Sequence, residues 1–145
     1  MSTSPEQVLP APAPFVQPEI KAFWEGTTRG ELLLPRCLDC SALVWYPRPF
    51  CSACGSLRVE WTPASGRGTI YSFTVNRRGA ADLPAYRQAG VYVLAYVELA
   101  EGPRIMTNIV DCDPDSVRIG QAVEAVFHDT GEGSALIRFR PAASS

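Results

Sequence analysis

The chain has 145 residues, enough for one ordinary domain or two very small ones. Apolar residues make up 46% and charged residues 19%, which supplies a packed core and excludes global disorder. With 13 basic residues against 15 acidic ones the net charge is −2, which argues against a dedicated polyanion binder, because non-specific nucleic-acid affinity comes from excess Lys and Arg along a groove.

The first residues, M-S-T-S-P-E-Q-V-L-P-A-P-A-P, carry no basic stretch followed by an apolar one. A secretory signal is therefore not expected. Nowhere does the chain approach the roughly 18 apolar residues that span a bilayer. A cytoplasmic location is the expectation. Prolines at 5, 10, 12, 14 and 18 make residues 1–17 read as an extended, poorly ordered arm. Pro18 suits the first position of a helix, and Ile20, Phe23 and Trp24 then form an apolar stripe. Gly26 is expected to end the first stretch, with another turn open to Thr27–Gly30, and a helix this short cannot stand alone and must bury its Phe-Trp face.

Cys37-Leu38-Asp39-Cys40 and Cys51-Ser52-Ala53-Cys54 form two C-x-x-C turns. Cysteines three apart in a tight turn can place both thiolates on one side of a tetrahedral ion. Leu32–Leu34 before the first pair and Leu43–Tyr46 between the pairs read as strands. The pattern predicts a zinc ribbon with Cys37, Cys40, Cys51 and Cys54 as metal ligands, zinc being favoured over iron. An all-cysteine set leaves no open coordination position, so the expected role is structural. The predicted division is residues 18–66 for helix and ribbon and 67–141 for a second unit.

That second unit reads as β. Thr69, Tyr71, Phe73 and Val75 alternate against Ile70, Ser72, Thr74 and Asn76. Val91–Leu99 is apolar on both faces, as expected of a strand that is central in its sheet or covered on both sides. A strand over Arg104–Val110 follows the Glu101-Gly102-Pro103 turn. Two last strands place Val123, Ala125, Phe127 and then Ala135, Ile137, Phe139 inward, split by Thr130-Gly131-Glu132-Gly133. Five short strands suit a small closed Greek-key barrel of OB type. The fold class expected is mainly β: a short N-terminal helix, a zinc ribbon, then a five-stranded OB-fold barrel.

The motifs then make a series. F-W-E-G (23–26), G-E-L-L-L-P-R-C (30–37) and C-S-A-C-G (51–55) are followed by G-R-G-T-I-Y-S-F-T-V (66–75). V-Y-V-L-A-Y-V-E-L-A-E-G-P-R (91–104), I-V-D-C (109–112) and I-G-Q-A-V-E-A-V-F (119–127) complete it. The chain resembles the family of acyl-CoA-associated proteins that join a rubredoxin-like zinc ribbon to an OB fold, long catalogued as a domain of unknown function. The resemblance runs over about residues 18–140. It implies an accessory role beside thiolase-fold enzymes: a thiolase, or a lipid-transfer-protein-like aldolase such as the one that cleaves a steroid side-chain acyl-CoA. A hotdog-fold enoyl-CoA hydratase is a further implied partner, and the chain itself could be a domain excised from such a fusion.

The residues offer little chemistry of their own. His128 beside Asp129 is a strand-end pair whose side chains face opposite ways, and Cys112 sits between carboxylates that raise a thiol pKa. No catalytic residue is assigned. Binding is different. Arg77 and Arg78 open the loop after the first barrel strand, a common jaw of OB binding faces, and Arg forks suit the phosphates of CoA. Leu83-Pro84-Ala85-Tyr86 in the same loop is a pad for a partner or a pantetheine arm. Arg77, Arg78 and Tyr86 are therefore the candidate CoA or partner contacts. Two other functions remain open from sequence, a nucleic-acid-binding module and a stand-alone acyl-CoA-binding protein. Net charge weighs against the first, so neither nucleic acid nor membrane is an expected partner.

Overall fold

Pro18–Ile20 forms a 3-10 turn that leads directly into helix α1, Lys21–Thr28. The computed structural model describes residues 9–78, 84–87 and 89–143. Gly26 lies inside α1 rather than ending it. A Cβ there would stand 2.8 Å from Leu33 Cδ1, so the glycine lets the helix lie against the strand that follows.

That strand, β1 (Leu33–Cys37), pairs antiparallel with β2 (Val59–Pro63), with Leu33 opposite Pro63 and Cys37 opposite Val59. The expected strand over Leu43–Tyr46 is reduced to a single bridge between Leu43 and Arg36. Pro47 and Pro49 remove donors just beyond it. Trp45 and Tyr46 instead turn onto Phe23, with ring centroids 5.9 and 6.1 Å away. Packing among aromatic rings has displaced strand pairing there.

The remaining strands are β3 (Arg67–Asn76), β4 (Tyr92–Leu99), β5 (Arg104–Ile109), β6 (Ala122–Asp129) and β7 (Ala135–Pro141). They close in the order β3-β4-β5-β7-β6, the five-stranded OB barrel expected from the sequence. All neighbours are antiparallel except β5 and β7, whose ladder is the single pair Ile109–Phe139. Strict alternation does not hold along β3, because the register shifts between Ile70 and Ser72. This bulge sends Ile70 inward and Tyr71 outward, then returns Phe73 and Val75 to the core side. On β4 the inward set Val93, Ala95, Val97 and Leu99 is buried, but Leu94 and Tyr96 on the other face are 38% and 44% exposed. The strand is central, paired with β3 on one edge and β5 on the other, and its outer face stays partly exposed.

Gly68 on β3 is a point of close approach. A Cβ there would fall 2.6 Å from the Glu98 carbonyl oxygen and 2.7 Å from Val97 Cγ1. Since backbone cannot yield as a side-chain tip does, Gly68→Ala is expected to destabilise the barrel by about 1–3 kcal/mol. An unchanged midpoint in chemical denaturation would refute that.

Helix, ribbon and barrel share one core. Ile20, Phe23, Leu32 and Leu34 belong to the same buried cluster as Ile70, Val97, Ile105 and Phe139. Thr27 locks the arrangement: its hydroxyl accepts from the Ala135 N–H at 2.9 Å and donates to the Trp24 carbonyl. Residues 9–17 have no regular secondary structure, yet Leu9 is 5% exposed and packs with Ala89 and Val110. Its carbonyl accepts from Arg138 at 3.1 Å. This end of the expected arm is therefore a strap, held because β7 offers it a buried guanidinium.

Candidate functional site

The two C-x-x-C turns meet at the end of β1. Cys37 and Cys51 are buried, Cys40 and Cys54 exposed, and the four Sγ atoms lie within 4.8 Å of one another. Sγ–Sγ separations of 3.6 Å for Cys37–Cys54 and for Cys40–Cys51 match a tetrahedron with metal–sulfur bonds of about 2.3 Å, whose edge is about 3.8 Å. The backbone is already arranged for thiolates. The N–H groups of Asp39 and Cys40 point at Cys37 Sγ at 3.4 Å, and that of Ala53 at Cys51 Sγ at 3.3 Å. The Cys40 N–H above all brings Cys37 down to about 6, and the Cys54 N–H lowers Cys51. The Ser56 N–H favours the Cys54 thiolate too, but the thiols of Cys37 and Cys40 push it up to about 12. Four crowded sulfurs cannot all ionise without a cation among them. The donor set fits a metal ion held by four thiolates.

A polar tie joins the turns outside the sulfurs. The Asp39 carboxylate accepts from Ser56 Oγ and from Arg58 at 2.8 Å, linking the first turn to the chain just past the second. Sequence reasoning passed over Asp39. Its place between two ligands was the available signal.

The candidate contacts Arg77, Arg78 and Tyr86 each meet different partners. Arg77 pairs with Asp115, both well exposed, and the Arg78 N–H donates to Asn76 Oδ1 at 3.1 Å. Tyr86 turns inward, its hydroxyl accepting from Arg138 at 3.3 Å and its ring 5.9 Å from that of Tyr92. Leu83 of the predicted pad lies outside the described residues. His128 faces Arg138, with Nδ1 2.9 Å from a guanidinium nitrogen, and burial followed by that charge lowers its pKa. Burial, then Asp113 and Asp111, push the Cys112 thiol up.

Beside the ribbon a second feature opens that sequence reasoning did not locate. An apolar cleft of about 270 Å³ lies where α1 crosses the weakly laddered seam of β5 and β7, walled by Phe23, Trp24, Trp45, Tyr46, Met106 and Ile137. Phe23, Trp24, Trp45 and Tyr46 pack edge to face along its wall. The Trp24 Nε1–H is buried without a hydrogen-bond partner among the described residues. Burial raises the pKa of the Tyr46 hydroxyl, and the nearby indole offsets part of that, yet the two do not reach hydrogen-bonding geometry.

Residues 24–60 match a family model described as the ChsH2 rubredoxin-like zinc ribbon domain, and residues 61–128 match that of the ChsH2 C-terminal OB-fold domain. A DUF35 domain-containing scaffold protein of Methanothermobacter thermautotrophicus is 38% identical over 98 residues, 67% of this chain and 71% of its own length. The chain belongs to the DUF35 family. A probable enoyl-CoA hydratase alpha subunit of Thermomonospora curvata is 37% identical over 83% of this DUF35 chain, which spans only 37% of that relative's length. The benzoylsuccinyl-CoA thiolase subunit BbsA of Thauera aromatica is 28% identical over 92% of the chain and 82% of its own. Among solved structures, a chain of an Ltp2-ChsH2(DUF35) aldolase superposes with a TM-score of 0.78 at 33% identity, covering 90% of this chain and 100% of that one. No helix among the described residues is long and apolar enough to cross a membrane.

Proposed function

We propose that this DUF35 chain is a non-catalytic accessory subunit that binds and supports a thiolase-fold acyl-CoA enzyme, a retro-aldolase or thiolase acting on steroid or lipid side chains. The observation that carries this reading is the match, over the whole of the other chain, to the DUF35 component of an aldolase. Relatives named as a scaffold protein and as a thiolase subunit support the same role. The chemistry of the chain agrees with it. A four-thiolate site has no open position for substrate. His128 has its Nδ1 engaged by Arg138, and Cys112 is held in its thiol form. The resident metal in this reading is zinc, which suits a tetrahedral thiolate cage with no redox duty.

Acyl-CoA is then held at the shared site rather than by this chain alone. Arg77 and Arg78 sit on an exposed loop margin from which a guanidinium fork reaches a phosphate, and the exposed Arg77–Asp115 pair is weak enough to be exchanged for one. Tyr86, turned into the cleft wall, is the third contact on this reading. A hotdog-fold hydratase is the alternative associate, supported by the hydratase alpha subunit among the relatives.

Affinity purification of the chain from its native host, with mass spectrometry of what accompanies it, tests the proposal. The expected outcome is stoichiometric recovery of a thiolase-fold protein whose activity falls when this subunit is withdrawn. Equal activity and solubility with and without the chain would remove the accessory role.

A further inference from the structure

We propose that the outer face of β3, β4 and β5, continuous with the cleft between α1 and the β5–β7 seam, is the surface on which the thiolase-fold partner docks. One large apolar side chain of the partner enters the cleft, and its adjoining main-chain carbonyl accepts from Trp24 Nε1. This inference rests on the accessory-subunit reading and adds to it which face of the chain is used.

Four observations meet there. First, β4 is apolar on both faces, and its outer face is left partly exposed by the described residues. Leu94 and Tyr96 remain 38% and 44% exposed, with Met106 at 56% and Tyr71 at 49% beside them. The register makes these a contiguous patch, since Tyr96 stands opposite both Ser72 and Met106, and Leu94 opposite both Thr74 and Asn108. Large apolar groups gathered on one sheet face mark an interaction site, whereas scattered ones mean nothing.

Second, the cleft continues the patch inward, because Leu94, Met106 and Asn108 belong to its lining as well. A space of about 270 Å³ admits one Phe-, Leu- or Trp-sized group. An aromatic-walled pocket beside a flat apolar rim is the arrangement that holds interface anchors.

Third, the Trp24 indole N–H is buried at this cleft with no hydrogen-bond partner among the described residues, the nearby Tyr46 hydroxyl lying outside hydrogen-bonding geometry. Leaving a buried donor unpaired is unfavourable, so an occupant bringing a carbonyl regains that stabilisation.

Fourth, charge selects the class of occupant. Arg104 is already paired with Glu98 at 2.9 Å and lies 3.8 Å over the Tyr71 ring. The patch thus presents neutral, aromatic and aliphatic surface rather than a cationic groove, which matches a neutral apolar protein face and not a polyanion. A second copy of this chain related by a two-fold axis would set the concave cleft against itself, whereas a different protein can supply the protruding side chain.

The test uses the thiolase-fold protein recovered with the chain, titrated by calorimetry against purified variants whose metal content and melting curve match wild type. Met106→Asp and Leu94→Asp are each expected to weaken the complex by about 30-fold or more, the effect of losing a central contact. Trp24→Phe keeps the ring packing, removes the donor, and is expected to weaken it by about 5–10-fold. Leu57→Asp and Ile119→Asp, at exposed apolar positions outside the cleft lining, are expected to stay within about twofold. If the complex forms and tolerates the Met106 and Leu94 variants while Leu57→Asp or Ile119→Asp disrupts it, the docking face is elsewhere and the accessory-subunit reading stands. If the free chain is a dimer that Met106→Asp makes monomeric, the occupant is a second copy and the proposal is overturned. If no thiolase-fold protein binds the wild-type chain, the reading and the inference fall together.

Discussion

Removing the metal with a strong chelator unfolds residues 30–62 and lowers the melting temperature of the whole chain. A module of about 50 residues carries on the order of 3–7 kcal/mol of folding free energy. A structural zinc site contributes roughly 10–16 kcal/mol, so the ion decides whether the ribbon folds. The ribbon has little else. Its sheet is two strands of five residues, and no side chain of β2 is fully buried. Without a cation the sulfurs oppose one another, with Cys54 pushed up to about 12 while Cys37 stays near 6. Loss spreads beyond the ribbon because Phe23, Leu32 and Leu34 share the barrel core. Amide hydrogen exchange on metal-free protein is expected to show residues 30–62 unprotected while β3–β7 keep partial protection. Cys54→Ser is expected to reproduce the effect. A verified metal-free protein with an unchanged melting curve would rule the metal out as a staple.

Replacing Arg138 by Met destabilises the chain by about 2–4 kcal/mol and frees the N-terminal strap. Arg138 is 1% exposed, and no carboxylate pairs with it among the described residues. Its partners are neutral acceptors: the carbonyls of Leu9 and Pro10, the Tyr86 hydroxyl and His128 Nδ1. Truncation leaves buried acceptors unpaired, which costs more than the contacts contribute net. Arg138→Lys is not a rescue, since one ammonium cannot fork to four groups from three elements. The same cluster sets a pH dependence. His128 must be neutral to accept, and burial followed by the Arg138 charge, eased by Asp111, holds its pKa below the usual 6.5. The unfolded chain therefore binds the proton first. This contribution is complete above about pH 6.5 and is lost as pH falls through the folded pKa. Denaturation midpoints measured from pH 7 to 5 are expected to fall less steeply for Arg138→Met than for wild type. A wild-type midpoint insensitive to the Met substitution would contradict the strap.

Much of the fold can be read from local patterns. Two cysteines three apart constrain their own turn, so the knuckles needed no long-range information, and Pro18 announced α1 by its fixed φ. The inward sets of β6 and β7 followed from alternation, because no register shift interrupts their pairing. Alternation failed on β3, where a bulge opposite β4 flips the parity of every residue beyond Ile70. It failed for Leu43–Tyr46 because the competing partner, the Phe23 ring, lies twenty residues away in the chain. Arg138 could not be recognised as buried, since alternation placed it on the solvent side of β7, where the strap, Tyr86 and His128 close over it.

The sequence by itself determined the chemistry that short spacings carry: four thiols in two turns, a helix start, and enough alternating strands for an OB barrel. Only the tertiary structure decided where uncovered surface remains. The apolar outer face of β4 could be read as covered because composition records what a strand can bury, not what is there to bury it. Three-dimensional closure packs α1 against β7, opens a cleft lined by α1, β5 and β7, and brings to it a tryptophan N–H with no partner among the described residues.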